Sequence, residues 1–268
     1  MSLDDGRDFR NAPDGFRVAV GDDGIAVLTI DRPDKRNALT IDMWRSLPEL
    51  MSDLAGVPGL RVLLLTGAGT TFSAGADIAE LAAAYDEPAR ARAYHEANVA
   101  AENAVATFPR PTVAVVRGSC VGGGCQLAVA CDVRIAGESA RLGITPAKLG
   151  IVYPVEPTLR LVRLIGAARA KYLLYTADLV SAAKAAGLGL VEEVVPDDEL
   201  DKRALELART IAARSTQTIG AVKAVIKAQV AGLDPNMELA PWQRNNDDAR
   251  EGLAAFLENR PPGFAEPD

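Results

Sequence analysis

Apolar residues recur along this chain in short unbroken runs separated by longer stretches of helical spacing. The runs at 25–30 (Ile25-Ala26-Val27-Leu28-Thr29-Ile30), 61–66 and 112–117 have strand length and end at small or turn-forming residues. A further strand is predicted at 132–136, after a short helix. Thr40 is placed to N-cap a helix reaching about residue 54, and the alanine-rich stretch 87–108 reads as a helix ended by Pro109 and Pro111. The unit recurs: Thr112-Val113-Ala114-Val115-Val116-Arg117-Gly118 echoes Arg61-Val62-Leu63-Leu64-Leu65-Thr66-Gly67. Repeated strand, turn and helix units predict a layered α/β spiral rather than a sandwich or a bundle. Beyond Pro196 the pattern is almost wholly helical, over 197–214, 216–231, 236–246 and 247–260. Such helices cannot bury both faces alone, so they are expected to pack on the core or on a second copy of the chain. The expected division is a loose tail over 1–14, a spiral core over 15–196 and a helical C-terminal region over 197–268.

Composition narrows the class. With 268 residues, 49% hydrophobic and 24% charged, the chain is long enough for a substantial core. No apolar run approaches the ~20 residues of a membrane span, and the polar, acidic 1–14 does not read as a signal peptide, so a cytoplasmic location is expected. A net charge of −7 argues against general nucleic-acid binding. Cys120, Cys125 and Cys131 crowd around one glycine turn and His95 is the sole histidine, a poor metal-ligand pattern. The cysteines read as small packing residues, with a reactive thiol as the alternative. His95, within a helix and without a Ser or Cys partner, reads as surface or interface.

Two stretches carry candidate chemistry: Phe72-Ser73-Ala74-Gly75-Ala76-Asp77-Ile78 and Gly118-Ser119-Cys120-Val121-Gly122-Gly123-Gly124-Cys125-Gln126. Each follows a strand and puts small residues where the chain turns into a helix, leaving backbone N–H groups unpaired. One N–H from each turn would suffice to hold a developing oxyanion. Asp77 is placed to cap or brace its turn. Arg32, Lys35 and Arg36 precede Asn37-Ala38-Leu39 and read either as a solvated loop or as donors for a polyanionic ligand. Gly67-Ala68-Gly69-Thr70-Thr71-Phe72 fails as a dinucleotide fingerprint, because Phe72 stands where a third small residue is needed. Ser181-Ala182-Ala183-Lys184 lacks the companion elements of an acyl-enzyme site and reads as a helix start.

The order of Asp31-Arg32-Pro33 with Asn37-Ala38-Leu39, then Ser73-Ala74-Gly75-Ala76-Asp77, Gly122-Gly123-Gly124-Cys125, Gly187-Leu188 and 191–196 resembles the crotonase superfamily, also called the enoyl-CoA hydratase/isomerase family. The similarity runs from about residue 18 to 264. It implies a crotonase-like ββα spiral core, a helical C-terminal oligomerisation region and homotrimers or dimers of trimers. It also implies an acyl-CoA lyase or isomerase that needs no cofactor beyond the coenzyme A of its substrate. By the resemblance the oxyanion donors map onto Ala74 and Gly123. The adenine pocket maps onto Gly75, Ala76, Asp77 and Ile78, and the pyrophosphate site onto Lys35 and Arg36, beside Ala38. Phe256 matches an aromatic that reaches coenzyme A, and Arg260 stands near the usual lysine, whose own position is Asn259.

The departures concern the chemistry. Where hydratases of the family hold two glutamates, this chain has Gln126 and Ala147, neither of which exchanges a proton. A positioned general acid or base contributes roughly 10²- to 10⁴-fold, so ordinary hydration is expected to be weak. Enolate stabilisation is retained. The segment from Ile144 to Tyr153 is similar to that of family members that decarboxylate malonyl-type thioesters, a reaction without need of a strong base. Decarboxylation, thioester hydrolysis or non-catalytic thioester binding are therefore the alternatives. Tyr153 is a candidate proton donor, Gln126 a candidate for orienting water or a carboxylate, and Glu156 the first candidate for a replacement base.

Overall fold

In the computed structural model, which describes residues 3, 7–9, 12–244 and 246–265, the apolar runs form the middle of one sheet. The strands are β1 (Arg7–Asp8), β2 (Phe16–Val20), β3 (Ile25–Ile30), β4 (Val62–Gly67), β5 (Thr112–Val116), β6 (Ser119–Val121), β7 (Val133–Gly137), β8 (Arg141–Gly143), β9 (Val180–Ser181) and β10 (Glu193–Val195). The large sheet has the order β1-β2-β3-β4-β5-β7-β10, parallel from β3 onward, and β6-β8-β9 form a small sheet beside it. Register sets Val27 opposite Leu64, Leu64 opposite Val113 and Val115 opposite Ile135.

The helices are α1 (Ile41–Ala55), α2 (Ile78–Ala84), α3 (Pro88–Ala106), α4 (Gly123–Ala130), α5 (Pro146–Leu149), α6 (Val155–Ile165), α7 (Ala167–Thr176), α8 (Ala182–Leu188), α9 (Leu200–Ala212), α10 (Thr216–Ala231), α11 (Pro235–Leu239) and α12 (Asp247–Leu257). On one face of the sheet, Ala26, Leu28, Leu63, Leu65 and Ala114 pack in one cluster with Trp44, Leu47 and Met51 of α1. On the other face, Val27, Val62, Leu64, Val113 and Val115 pack with Leu200, Ala204 and Ala208 of α9. Cover on both faces explains why these strands are continuously apolar rather than alternating. The helical region expected from 197 therefore lends its first helix to the core.

The local signals act as their chemistry dictates. Thr40 caps α1 by accepting from Met43 N–H at 3.2 Å, and Pro88 opens α3 at a position that needs no donor. Ser181 caps α8 through Lys184 N–H, the helix-start reading of that tetrad. Three expectations change. Within the tail expected to be loose, Arg7 and Asp8 pair with Val20 and Ala19, because the outer side of β2 offers an open edge. The helix predicted over 236–246 divides into α11 and a 3-10 turn, Ala240–Arg244, where Pro241 has no N–H to continue an α-helical ladder; its position 245 lies outside the described residues. The last predicted helix stops at Leu257 rather than 260, because Asn259 takes a left-handed φ of 53°. No helix among the described residues is long and apolar enough to cross a membrane.

Candidate functional site

The first turn is laid down by two isolated parallel bridges, Leu39 with Ala76 and Ser73 with Cys120. Almost every N–H along it is committed. Phe72 donates to Arg117 O, Ser73 to Ser119 O, Ala74 to Arg36 O at 2.9 Å and Asp77 to Leu39 O at 2.9 Å. Gly75 donates to Ser73 Oγ at 3.0 Å. In a parallel bridge one residue bonds the neighbours of its partner, so Leu39 engages Gly75 and Asp77 and leaves the N–H of Ala76 on the far side. Ala76 borders a cavity on that side. This corrects the expectation for Ala74: an N–H already held by a carbonyl is not free for an oxyanion, and the free donor lies two residues on.

The second turn passes from β6 through Gly122, at φ 56°, into α4. Gly123 is the first residue of that helix, and its N–H has no intrahelical partner. The two turns touch because Gly75 lacks a side chain. Its φ is 92°, and a Cβ there would lie 2.7 Å from Val121 O and 3.3 Å from Gly123 N. Behind them a Cβ at Gly124 would fall 2.6 Å from Ser73 Cβ, so the glycine lets α4 close on the first turn.

Trp44, Ala76, Gly123, Thr145, Pro146 and Tyr153 border the cavity, and α3 adds His95, Asn98 and Glu102 from one helical stripe. Asn98 Nδ2 on the lining has no hydrogen-bond partner, Trp44 Nε1 and Tyr94 Oη adjoin one another there, and Gln126, whose amide is also unpaired, does not border the cavity. Gln126 is fully buried and adjoins the Tyr153 hydroxyl, without the alignment of a hydrogen bond. Burial, then the nearby Glu102 charge, pushes Tyr153 well above the usual phenol range. Ala147, within α5, does not border the cavity, although Thr145 and Pro146 do.

Sequence reasoning missed Glu102. Its side chain is 2% exposed, and Arg160 Nη1 on α6 approaches Oε2 at 3.4 Å. Burial pushes the carboxyl up to about 8 against the opposing pull of Arg160. The available signal was spacing alone: Glu102 falls at helical intervals from Tyr94, Asn98 and Val105, and the structure buries Tyr94, Glu102 and Val105 together. His95, read from the sequence as surface or interface, is half-buried. It borders the cavity, pairs through Nε2 with Tyr85 Oη at 2.8 Å, and burial lowers its pKa.

Glu156 does not reach this cavity. It lies in the first turn of α6, pairs with Arg163 at 3.0 Å and lines a separate groove with Val222 and Ile226 of α10, because its turn projects away from Tyr153. The expectation of a replacement base there is overturned. Asp77 behaves as expected, capping α2 through Ala79 N–H at 3.2 Å. Arg32 is consumed internally, donating to Ala38 O at 2.6 Å and approaching Asp77 Oδ2 at 3.3 Å. Lys35 and Arg36 are exposed, Ala38 is buried beneath them, and Ile78 is exposed at the cavity rim. Phe256 is exposed on α12, away from the cavity. Arg260 is held by Glu251 at 2.6 Å and 3.0 Å and by Glu258 at 2.6 Å, so its guanidinium is engaged rather than free for a phosphate. The three cysteines are buried free thiols, and burial raises Cys120 strongly and Cys131 to about 12, in keeping with packing roles. The described residues contain no cluster fit to hold a metal ion.

The comparisons with known proteins agree with this architecture. The profile of the family described as Enoyl-CoA hydratase/isomerase matches residues 21–267. The 2,3-dehydroadipyl-CoA hydratase of Escherichia coli is 33% identical over 245 residues, covering 90% of this chain and 94% of its own. The crotonyl-CoA hydratase of Syntrophomonas wolfei is 33% identical over 246 residues, covering 90% and 94%. The crystal structure of an enoyl-CoA hydratase from Bacillus anthracis superposes with a TM-score of 0.88 at 33% identity, covering 94% of this chain and all of that one (100%). With the paired glycine turns, the spiral sheet and a match along nearly its whole length, the chain belongs to the enoyl-CoA hydratase/isomerase family.

Proposed function

We propose that the cavity receives the acyl end of a coenzyme A thioester, and that the N–H groups of Ala76 and Gly123 hold its carbonyl oxygen as negative charge develops there. The observation that carries this reading is the contact of the two turns at Gly75, which sets two uncommitted donors beside one cavity. Removing one such donor from a preorganised site costs about 2.7–4 kcal/mol of transition-state stabilisation. Exposed Lys35 and Arg36 supply the charge for the phosphates, and Ile78 offers an apolar edge to the adenine. The exposed Val222, Ile226 and Val230 of α10 supply a face for self-association.

The reaction on this reading runs through a thioester enolate and is of lyase or isomerase type. Gln126 and Ala147 stand where the family resemblance puts two glutamates, so water addition to crotonyl-CoA by that pair is not available. Decarboxylation of a malonyl-type thioester is the second reading. There the bond to the carboxylate breaks, CO₂ leaves, its electron pair becomes the enolate, and one proton is needed afterwards. Burial keeps Tyr153 protonated, which suits late proton donation better than activation of water.

Mass-spectrometric product analysis with crotonyl-CoA, methylmalonyl-CoA and acetyl-CoA tests the proposal, alongside Gly123→Pro, which removes one donor at the first helical position, with folding checked because a Cβ there would lie 3.0 Å from the Trp44 ring. Isomerised, decarboxylated or hydrolysed product without hydration, lost in a still-folded Gly123→Pro, supports it. Rapid hydration of crotonyl-CoA overturns the reading of positions 126 and 147. Failure to bind any thioester overturns the site.

A further inference from the structure

We propose that Glu102, carried on α3, is the catalytic acid and base of this cavity, exchanging a proton with the α-carbon of the bound acyl group. The inference rests on the thioester reading above and adds the proton carrier it lacks. The geometry comes first. Glu102 borders the same cavity as Ala76 and Gly123, at 2% exposure, whereas Gln126 and Ala147, the positions that the family resemblance assigns to two glutamates, do not border it.

A purely structural ion pair is the competing account, and its details do not suit it. Arg160 reaches Glu102 with a single 3.4 Å contact, while its other terminal nitrogen is spent on Asn103 Oδ1 at 2.6 Å. Strong arginine–carboxylate pairs are frequently bidentate, and this one is not. Here burial outweighs the arginine and pushes the carboxyl up to about 8, so that both protonation states are accessible to a proton carrier. The charged and titratable groups around it are Arg160 on α6, Tyr153 ahead of α6 and Cys125 on α4, with His95 further along α3. Of these, Arg160 alone favours the carboxylate. Asn98, one turn before Glu102 on α3, adds a polar side chain to the same lining.

The step balances without a further reagent. The Glu102 carboxylate takes a proton from the α-carbon, and the C–H electron pair becomes the enolate double bond. The carbonyl pair moves onto the oxygen held by Ala76 and Gly123. Returning a proton from the Glu102 carboxyl restores the thioester, and in D₂O the returned particle is a deuteron.

Butyryl-CoA is the probe, because it has α-protons but nothing to hydrate or decarboxylate. Deuterium uptake at its α-carbon is followed by mass spectrometry, and its affinity by calorimetry, for the full-length protein. Wild type is expected to exchange, with a rate that rises with pH towards about 8 as the carboxylate forms. Glu102→Gln is expected to lose roughly 10²-fold or more while binding butyryl-CoA within about threefold, and Glu102→Asp to recover part of the rate. Arg160→Leu removes the cation that favours the carboxylate and shifts the pH limb upward by roughly one unit. Undiminished exchange in Glu102→Gln, or binding by wild type with no exchange, overturns the assignment of Glu102 alone. Absence of binding by wild type overturns the thioester reading as well.

Discussion

Replacing Gly75 by alanine separates two roles that this glycine combines. At its φ of 92° an L-residue is strained, which costs about 1–3 kcal/mol. The new Cβ would also lie 2.7 Å from Val121 O and 3.3 Å from Gly123 N, neither of them the free end of a flexible side chain. Relieving such an overlap within packed structure costs a further ~1–3 kcal/mol. Together the loss is about 4 kcal/mol, or roughly 8–16 °C in melting temperature for a chain of this size. Gly232 is the internal control, since its φ of 72° carries the conformational strain while nothing lies within 4 Å of its Cβ position. Gly232→Ala is therefore expected to lose only about 1–2 kcal/mol. The remedy for the clash at Gly75 is separation of the two turns, which moves the N–H groups of Ala76 and Gly123 apart. Misplacement approaching 1 Å costs on the order of 10²-fold in rate. Thermal melts of both variants and deuterium uptake into butyryl-CoA read the two effects. Equal destabilisation by the two substitutions, with exchange by Gly75→Ala unchanged, would refute the argument that the glycine is there for close approach.

Two further outcomes follow from groups around the site. Asn37 is fully buried at φ 56°, accepts from Arg32 N–H at 3.0 Å and donates to Ala68 O at 2.9 Å and Thr71 O at 2.6 Å. Asn37→Ala strands three backbone groups and is expected to cost about 3 kcal/mol in a denaturant titration, with a loss below about 1 kcal/mol counting against that bracing role. Glu102 supplies a pH dependence: between its ordinary 4.5 and about 8 the folded chain keeps a proton that the unfolded chain releases. Stability therefore falls as pH rises through that window and levels off above it, by at most ~5 kcal/mol at ~1.4 kcal/mol per unit. Melting temperatures at pH 5.5 and 8 are expected to differ less in Glu102→Gln than in wild type, and parallel slopes would sink the prediction.

The turns illustrate how far spacing alone reaches. The glycines of 122–124 and the small residues of 74–76 announce two places where backbone comes close and N–H groups go unpaired, and both turns stand where that pattern sets them. Which N–H is free is another matter. Ala74 and Ala76 are alike in size and neighbourhood along the chain, and they differ because Arg36 O captures one while the Leu39 bridge turns the other away. Glu102 and Glu156 invert in the same manner. By sequence Glu156 sits three residues from Tyr153 and Glu102 is one polar residue of the alanine-rich helix, yet α3 carries Glu102 into the cavity and the first turn of α6 carries Glu156 out of it.

By itself the sequence determined the four central strands β3, β4, β5 and β7, the helix starts at Thr40 and Ser181, the family, and the replacement of two expected glutamates by Gln126 and Ala147. These depend on side-chain periodicity, capping and spacing, all set within a few residues of chain. The tertiary structure alone decided that Arg32 is spent on Ala38 O and Asp77, that Ala76 rather than Ala74 keeps its donor, and that Glu102 is buried beside the cavity. Hydrogen-bond commitment and desolvation are properties of the neighbours a group meets in space, and here those neighbours arrive from segments far apart in the chain.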